Sequence, residues 1–289
     1  MIHHELFGQH LRLGNFLFQM AATTALCKKH QCETIYPNWY YLWKYLENPP
    51  MTYSEGGYYY TDQLIRPRKW EWTQEEHDWL DTFGQDFREK NMELALNFFF
   101  QSYKWFEGYE KEVCESLKPK VEYTDQLTRK YNHLFTDKPT IGIGIRLGDF
   151  EGHGDFFQIP YSWYINALDE QFPNWKTDYT IVVFSDDIPK AKRIFQHFPF
   201  NYTDFNDTAS HRENFKYYHG DASEQFFLGT LMDNFICGNS TFSWWQSYLA
   251  KAGTRNGKVV HCGQVFRGKA KQERDITHYY CKDWIQVNI

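Results

Sequence analysis

Four short polar clusters in this chain hold residue types suited to an anionic substrate. Arg146-Leu147-Gly148-Asp149 follows directly on the alternating run TIGIGI (140–145). An Arg at a strand end offers a planar fork that can hold two anionic oxygens, and the adjacent glycine lets backbone come close. The competing reading is a buried Arg146–Asp149 structural pair. Ser185-Asp186-Asp187 follows YTIVVF (179–184). Carboxylates placed there can accept from ribose hydroxyls, cap the next helix or hold Mg²⁺ or Mn²⁺. Gly238-Asn239-Ser240-Thr241-Phe242 joins a short apolar run to a helix start. First-turn N–H groups lack intrahelical partners and the dipole turns its positive end outward, so this junction suits an anion; plain capping is the alternative. The fourth cluster, Arg12-Leu13-Gly14-Asn15, opens a helix near the N-terminus. Asn15 stands where an N-cap would, and Gly14 permits a tight turn before it. Singly these signals are weak. Together they describe a nucleotide pocket with one Arg from each half of the chain.

The elements that must position these clusters follow from hydrophobic period. Leu17, Phe18, Ala21, Ala22, Ala25 and Leu26 form a helical stripe that closes at Lys28 and Lys29. Residues 33–90 are irregular and rich in Trp and Tyr, and a helix is predicted at 109–117. The polar stretch 118–138 reads as a linker. Beyond it, TIGIGI, YTIVVF and FICG (235–238) read as buried strands. Helices are predicted at 161–172, from 185, at 223–235 and from Ser240 or Thr241. Strand and helix alternate over 140–252, which argues for a parallel sheet covered on both faces. Ligands of such sheets lie beyond the carboxyl ends of the strands. The predicted domains are 1–135 on the acceptor side, 136–275 for the nucleotide sugar, and a segment 276–289 returning to the first domain.

Composition bounds the rest. In 289 residues, 31 Lys and Arg face 37 Asp and Glu for a net charge of −6, the wrong balance for a nucleic-acid binder. Aromatic residues make up 20% of the chain, which fits an aromatic core and, in a sharper reading, a sugar-facing surface. No apolar run reaches the ~20 residues needed to span a bilayer. The N-terminus lacks the basic and apolar regions of a signal peptide, so the expected compartment is cytoplasmic, with peripheral membrane contact left open. The six cysteines share no motif spacing and are expected to be free thiols. Asn239 lies in a sequon but, at a strand end, is expected to face inward.

The clusters also carry a resemblance. RLGNFLFQMA (12–21), FQSYKWF (100–106), IGIRLGDF (143–150), FSDD (184–187) and NSTFSWWQSYL (239–249) occur in that order. They resemble the signature blocks of the alpha-1,2-fucosyltransferases, glycosyltransferase family eleven. That resemblance implies a GT-B fold, two Rossmann-like α/β domains facing a cleft, and an inverting, metal-independent transfer with GDP-fucose as donor and a glycan as acceptor. It makes Arg146 the diphosphate partner and Ser240, Thr241 and Phe242, beside Asn239, the phosphate cradle. Asp187, with Asp186 as neighbour, becomes the ribose contact, and Arg12 and Asn15, with Gly14, the donor-facing residues of the first domain. Gln225, with Glu224 beside it, falls where the family often has an acidic residue, a position expected near the guanine base. The family His and second Arg of HIRRGD are Gly144 and Leu147 here, and the Gln of LGNQ is Phe16.

An inverting transfer needs a stabilised leaving diphosphate, a base for the acceptor hydroxyl and reactants held in line. The loop GDFEGHGD (148–155) offers Asp149, Glu151, His153 and Asp155 as bases, with Asp155 or Asp149 favoured. Its glycines Gly152 and Gly154 suggest a mobile loop. Two alternatives stand beside this reading: a metal-dependent GT-A transferase using Asp186 and Asp187, and a non-catalytic carbohydrate-binding protein.

Overall fold

Thr140–Ile145 buries all six of its residues, as a strand covered on both faces must. The computed structural model describes residues 2–4, 12–37, 41–53, 63–65, 71–90, 94–96, 98–197, 201–204, 222–252 and 257–289. The chain divides into two compact units, Met1–Lys120 with Thr277–Tyr279, and Val121–Ile276 with Tyr280–Ile289. Their sheets are separate.

The first unit contains β1 (Ile2–His4), α1 (Leu13–His30), β2 (Tyr36–Pro37), β3 (Thr52–Tyr53), β4 (Gln63–Ile65), α2 (Gln74–Lys90), β5 (Leu94–Leu96) and α3 (Glu110–Ser116). A three-stranded parallel sheet has the order β1-β5-β4, and β2 pairs with β3. Within α1 only Asn15, Lys28 and Lys29 escape full burial. Its basic last turn complements the dipole, and Gln31, in the left-handed region at φ 54°, returns its N–H to Cys27 and Lys28 carbonyls. The helix starts earlier than expected: Arg12 occupies the N-cap and makes no side-chain cap bond. Asn15 therefore lies inside the first turn, and Gly14 is buried in the helix.

The second unit contains α4 (Val121–Lys130), β6 (Thr140–Ile145), α5 (Tyr161–Gln171), α6 (Trp175–Asp178), β7 (Thr180–Ser185), α7 (Ile188–Ile194), β8 (Asn201–Asp204), α8 (Ser223–Thr230), β9 (Asn234–Cys237), α9 (Thr241–Ala252), β10 (Val259–His261), α10 (Gly268–Glu273) and β11 (Ile285–Gln286). Its six strands are all parallel, in the order β11-β10-β9-β6-β7-β8. Ile141, Ile143 and Ile145 face a core with Trp163, Ala167 and Leu168 of α5. The intervening glycines leave room on the other face, where Cβ atoms would strike the Phe235 ring and Ser243.

Four further expectations change. The stretch 33–90, read as irregular, holds the 17-residue helix α2 over Gln74–Lys90. The stretch read as a linker holds α4, whose Leu127 is buried and whose Tyr123 meets Phe227 edge-on at 5.8 Å. Two apolar residues four apart suffice to dock a short helix, though average composition hides them, and the division falls after Lys120 rather than at 135. The helix expected over 223–235 stops at Thr230, because Asp233 turns back to bind Thr140 N–H and Oγ1. Of the C-terminal segment only Thr277–Tyr279 joins the first unit, through Ser102 Oγ to the His278 carbonyl at 2.6 Å and Phe18–Tyr279 ring packing. The last residues add β11 to the sheet. All six cysteines are free, as expected.

His261 ends β10, 5% exposed, stacked on Tyr280 at 3.9 Å, with Nδ1 accepting Gly263 N–H. Burial lowers its pKa from 6.5 to about 4. The unfolded chain then binds the extra proton first, so stability is complete above pH 6.5 and falls as pH drops toward about 4. The loss saturates below that at about 3 kcal/mol. Melting curves over this range should show a steeper acid loss in the wild type than in His261→Gln; parallel slopes would refute it.

Candidate active site

Numbered along the chain, β6 to β11 are strands one to six, and their spatial order is 3-2-1-4-5-6. The order reverses between β6 and β9, and ligands of open parallel sheets lie at such a reversal, beyond the carboxyl ends. Two predicted clusters end these strands: Arg146–Asp149 follows β6, and Gly238–Phe242 follows β9. Gly238 lets the strands approach, since a Cβ there would come closer than 3.0 Å to the Gly144 carbonyl oxygen.

Arg146 is 6% exposed in its side chain. Nε donates to Asp149 Oδ1 at 2.7 Å and lies 3.1 Å from Asp186 Oδ2. The Arg146–Asp149 pair weighed from sequence is thus present, and Asp186 joins it. The hydrogen bond that the guanidinium makes among the described residues runs through Nε. Asp186 also accepts the backbone N–H groups of Leu147 and Gly148 at 2.8 and 2.9 Å, one on each oxygen. It therefore holds the loop after β6 in place. Asp187 caps α7, accepting Lys190 N–H at 2.9 Å, with its own N–H on Ser185 Oγ. Capping, one of the readings of this cluster, is what the Asp187 side chain does here.

At the α9 start, Ser240 Oγ accepts Ser243 N–H at 3.1 Å and contacts Ser243 Oγ at 2.9 Å. Thr241 begins the helix and Phe242 packs against Phe226. Asn239 faces inward as expected, donating Nδ2 to the Phe157 carbonyl at 2.7 Å. Trp244 and Trp245 are wholly buried.

The three loop carboxylates and the imidazole separate by their partners. Asp149 holds Arg146, Glu151 pairs with Lys190, and His153 Nδ1 accepts Asp155 N–H at 3.1 Å. The Asp155 carboxylate has no hydrogen bond among the described residues. Despite its glycines the loop is tied down. Phe150 stacks on Phe156 at 4.1 Å, and Arg267 N–H donates to the Asp155 carbonyl at 2.8 Å. Glu224, by contrast, is bound to Lys130 Nζ at 2.8 Å and Tyr131 OH at 2.5 Å. Gln225 is buried; its Nε2 reaches Tyr131 OH at 3.5 Å and its Oε1 has no partner among the described residues. Arg12, Gly14 and Asn15 stand on the first unit, where Asn15 Oδ1 accepts from Gln101 Nε2 at 2.7 Å. Among the described residues no three His, Cys, Asp or Glu side chains group as metal ligands, and no helix is long and apolar enough to cross a membrane.

The family model described as Glycosyl transferase family 11 matches residues 69–288. This chain belongs to glycosyl transferase family 11. Over 125 residues it is 28% identical to the O-antigen biosynthesis glycosyltransferase WbnK of Escherichia coli, a stretch that makes up 42% of this chain and 37% of that relative. The chain thus spans little more than a third of the curated relative it matches. Its fold is similar to a mutant of Arabidopsis thaliana FUT1 in complex with GDP, at TM-score 0.53 and 13% identity, over 93% of this chain and 70% of that one. POFUT1 in complex with GDP-fucose gives 0.52 at 11% identity, over 86% and 94%. Fucosyltransferase NodZ from Bradyrhizobium gives 0.50 at 12%, over 81% and 87%. The fold is GT-B, which sets aside the GT-A alternative.

One departure from the family blocks has a physical reason. A Cβ at Gly144, where family 11 blocks carry His, would lie under 3.0 Å from Ser243 Oγ and Cβ. In this family 11 member the first turn of α9 fills the space of that side chain. The Asp186 clamp was missed from sequence. Its signal was available: FSDD and RLGD end the first two strands of a parallel sheet, and adjacent strands bring their ends together.

Proposed function

We propose that this family 11 enzyme transfers L-fucose from GDP-fucose to a glycan hydroxyl, with inversion and an alpha-1,2 linkage. The observation that carries the reading is the placement of Arg146 and the α9 N-terminus after the carboxyl ends of the paired strands β6 and β9, at the strand-order reversal. The resemblance of the signature blocks to alpha-1,2-fucosyltransferases supports the linkage. Asp149 and Asp186 hold Arg146 by its Nε side, and its Nη groups are assigned to the diphosphate. The positive end of α9 adds a second stabilising field. Asp155, whose carboxylate is uncommitted among the described residues, is assigned as base in preference to Asp149.

In this scheme the acceptor hydroxyl gives its proton to Asp155 while its oxygen attacks the anomeric carbon. The bond from that carbon to the β-phosphate oxygen breaks, and its electron pair leaves with GDP. Negative charge grows on the diphosphate, so the Arg146 contact strengthens toward the transition state. Charge stabilisation falls to Arg146 and the helix without a metal. Arg12 and Asn15 are assigned to substrate binding.

A thermal-shift comparison of GDP, UDP, dTDP and CMP tests the donor. GDP should protect, by about 2.7 kcal/mol when present at ~100 times its Kd, and the others should not. Protection by UDP alone would move the donor class. Sugar binding without protection by any nucleotide would favour a carbohydrate-binding protein, and turnover abolished by EDTA would remove the metal-independent scheme.

A further inference from the structure

Helix α1 is buried along its length except at Asn15 and its two C-terminal lysines. Its first two turns are also where the polypeptide 98–102 is fastened. Gln19, one turn beyond Asn15 on the same face, donates Nε2 to the Phe98 carbonyl at 3.1 Å. Gln101 Nε2 donates to Asn15 Oδ1 at 2.7 Å. Between these two anchors Phe100 takes φ 55°, a left-handed conformation that a bulky side chain rarely adopts. Its ring is fully buried, edge-on to Phe98 at 5.4 Å and to Trp105 at 5.1 Å. Ser102 accepts Lys104 N–H and donates to the His278 carbonyl, so the far end is fastened too. The strained residue immediately before Gln101 is therefore held by contacts on both sides, and those contacts determine where the Gln101 amide points.

From this we infer that Gln101 is a positioning residue, which fixes the carboxamide of Asn15 for substrate binding. An Asn amide can turn over and exchange its donor and acceptor. A donor from Gln101 onto Oδ1 selects the orientation in which Nδ2 points away from Gln101. The inference rests on the reading of Asn15 as a substrate-binding residue. It accounts for the block FQSYKWF, whose Gln101 and Ser102 side chains bond Asn15 at the α1 start, the His278 carbonyl and Lys104 N–H.

The test measures GDP release from GDP-fucose, with kcat, KM and melting temperature, for wild type, Asn15→Ala, Gln101→Ala, Gln101→Glu and Asn15→Ala/Gln101→Ala. Asn15→Ala should lose on the order of 10²-fold in kcat/KM, and Gln101→Ala on the order of tenfold. The double variant should match Asn15→Ala alone, because a positioning residue has nothing left to position. Gln101→Glu fills the same space but cannot donate to Oδ1. It should turn the Asn15 amide over and lose at least as much as Gln101→Ala, with a melting temperature close to wild type. A packing role predicts the opposite, near-normal turnover in Gln101→Glu. That result, or losses that add in the double variant, would overturn the inference while leaving the donor reading intact. Normal turnover in Asn15→Ala would instead remove the substrate-binding role and the inference with it, and a wild type that releases no GDP would remove both. If Gln101→Ala does not fold, the isosteric Gln101→Glu alone decides.

Discussion

Arg146→Ala should lower kcat by roughly 10²–10³, the scale for losing one preorganised charge-stabilising donor. GDP protection in the thermal-shift assay should fall with it. Stability should fall as well, because the side chain is 6% exposed and its Nε faces two carboxylates. Removing one partner of a buried pair costs ~3–5 kcal/mol. The loss here should lie nearer 2 kcal/mol, because Asp186 keeps its two backbone N–H donors and Asp149 is 18% exposed. Arg146→Lys should recover part of the stability and little of the rate, since an ammonium is a point charge without the fork. Asp149→Asn, which retains an acceptor for Nε, should stay within a few-fold of wild-type turnover. The assays belong well below the melting temperature of the variant. If Arg146→Ala turns over normally there, Arg146 is a structural residue only.

Gly238→Ala should be at least as damaging, by a different route. A Cβ at this position would meet the Gly144 carbonyl oxygen closer than 3.0 Å, and that atom is backbone in the central strand β6. Side chains that crowd a site can rotate away; a strand held on both sides by parallel neighbours cannot. Overpacking of side chains costs ~1–3 kcal/mol, and backbone against backbone should reach or exceed the upper figure. The strain falls at the strand-order reversal, so any protein that folds should also lose nucleotide protection. Gly154→Ala is the control: a Cβ there meets nothing within 4 Å, and stability should be unchanged. Equal melting temperatures for Gly238→Ala and wild type would mean that β6 and β9 are not pressed together as described.

The pattern of strands and helices was open to reading because it rests on local period. TIGIGI, YTIVVF and FICG are runs that only a sheet covered on both faces can bury, and each lies within a residue of an observed strand. The Arg, Asp and Asn at their ends were equally visible, since a strand end is a position in the sequence. The free cysteines and the inward Asn239 followed from the same local reasoning. Helix α4 did not, because its docking depends on Tyr123 and Leu127 finding a surface about a hundred residues further along the chain.

What each polar group does was decided only in three dimensions. Strand order brings β9 beside β6, so that clusters some ninety residues apart in sequence end side by side. The adjacent pairing of β6 with β7 delivers Asp186 to the loop after β6, while the next residue, Asp187, is committed to capping α7. Two neighbouring carboxylates of identical chemistry thus do different work. The sequence by itself determined which elements form and which chemistry ends them, because burial and period act over a few residues. Tertiary structure decided the partners, because a hydrogen bond or ion pair depends on where the chain returns, and no local pattern carries that distance.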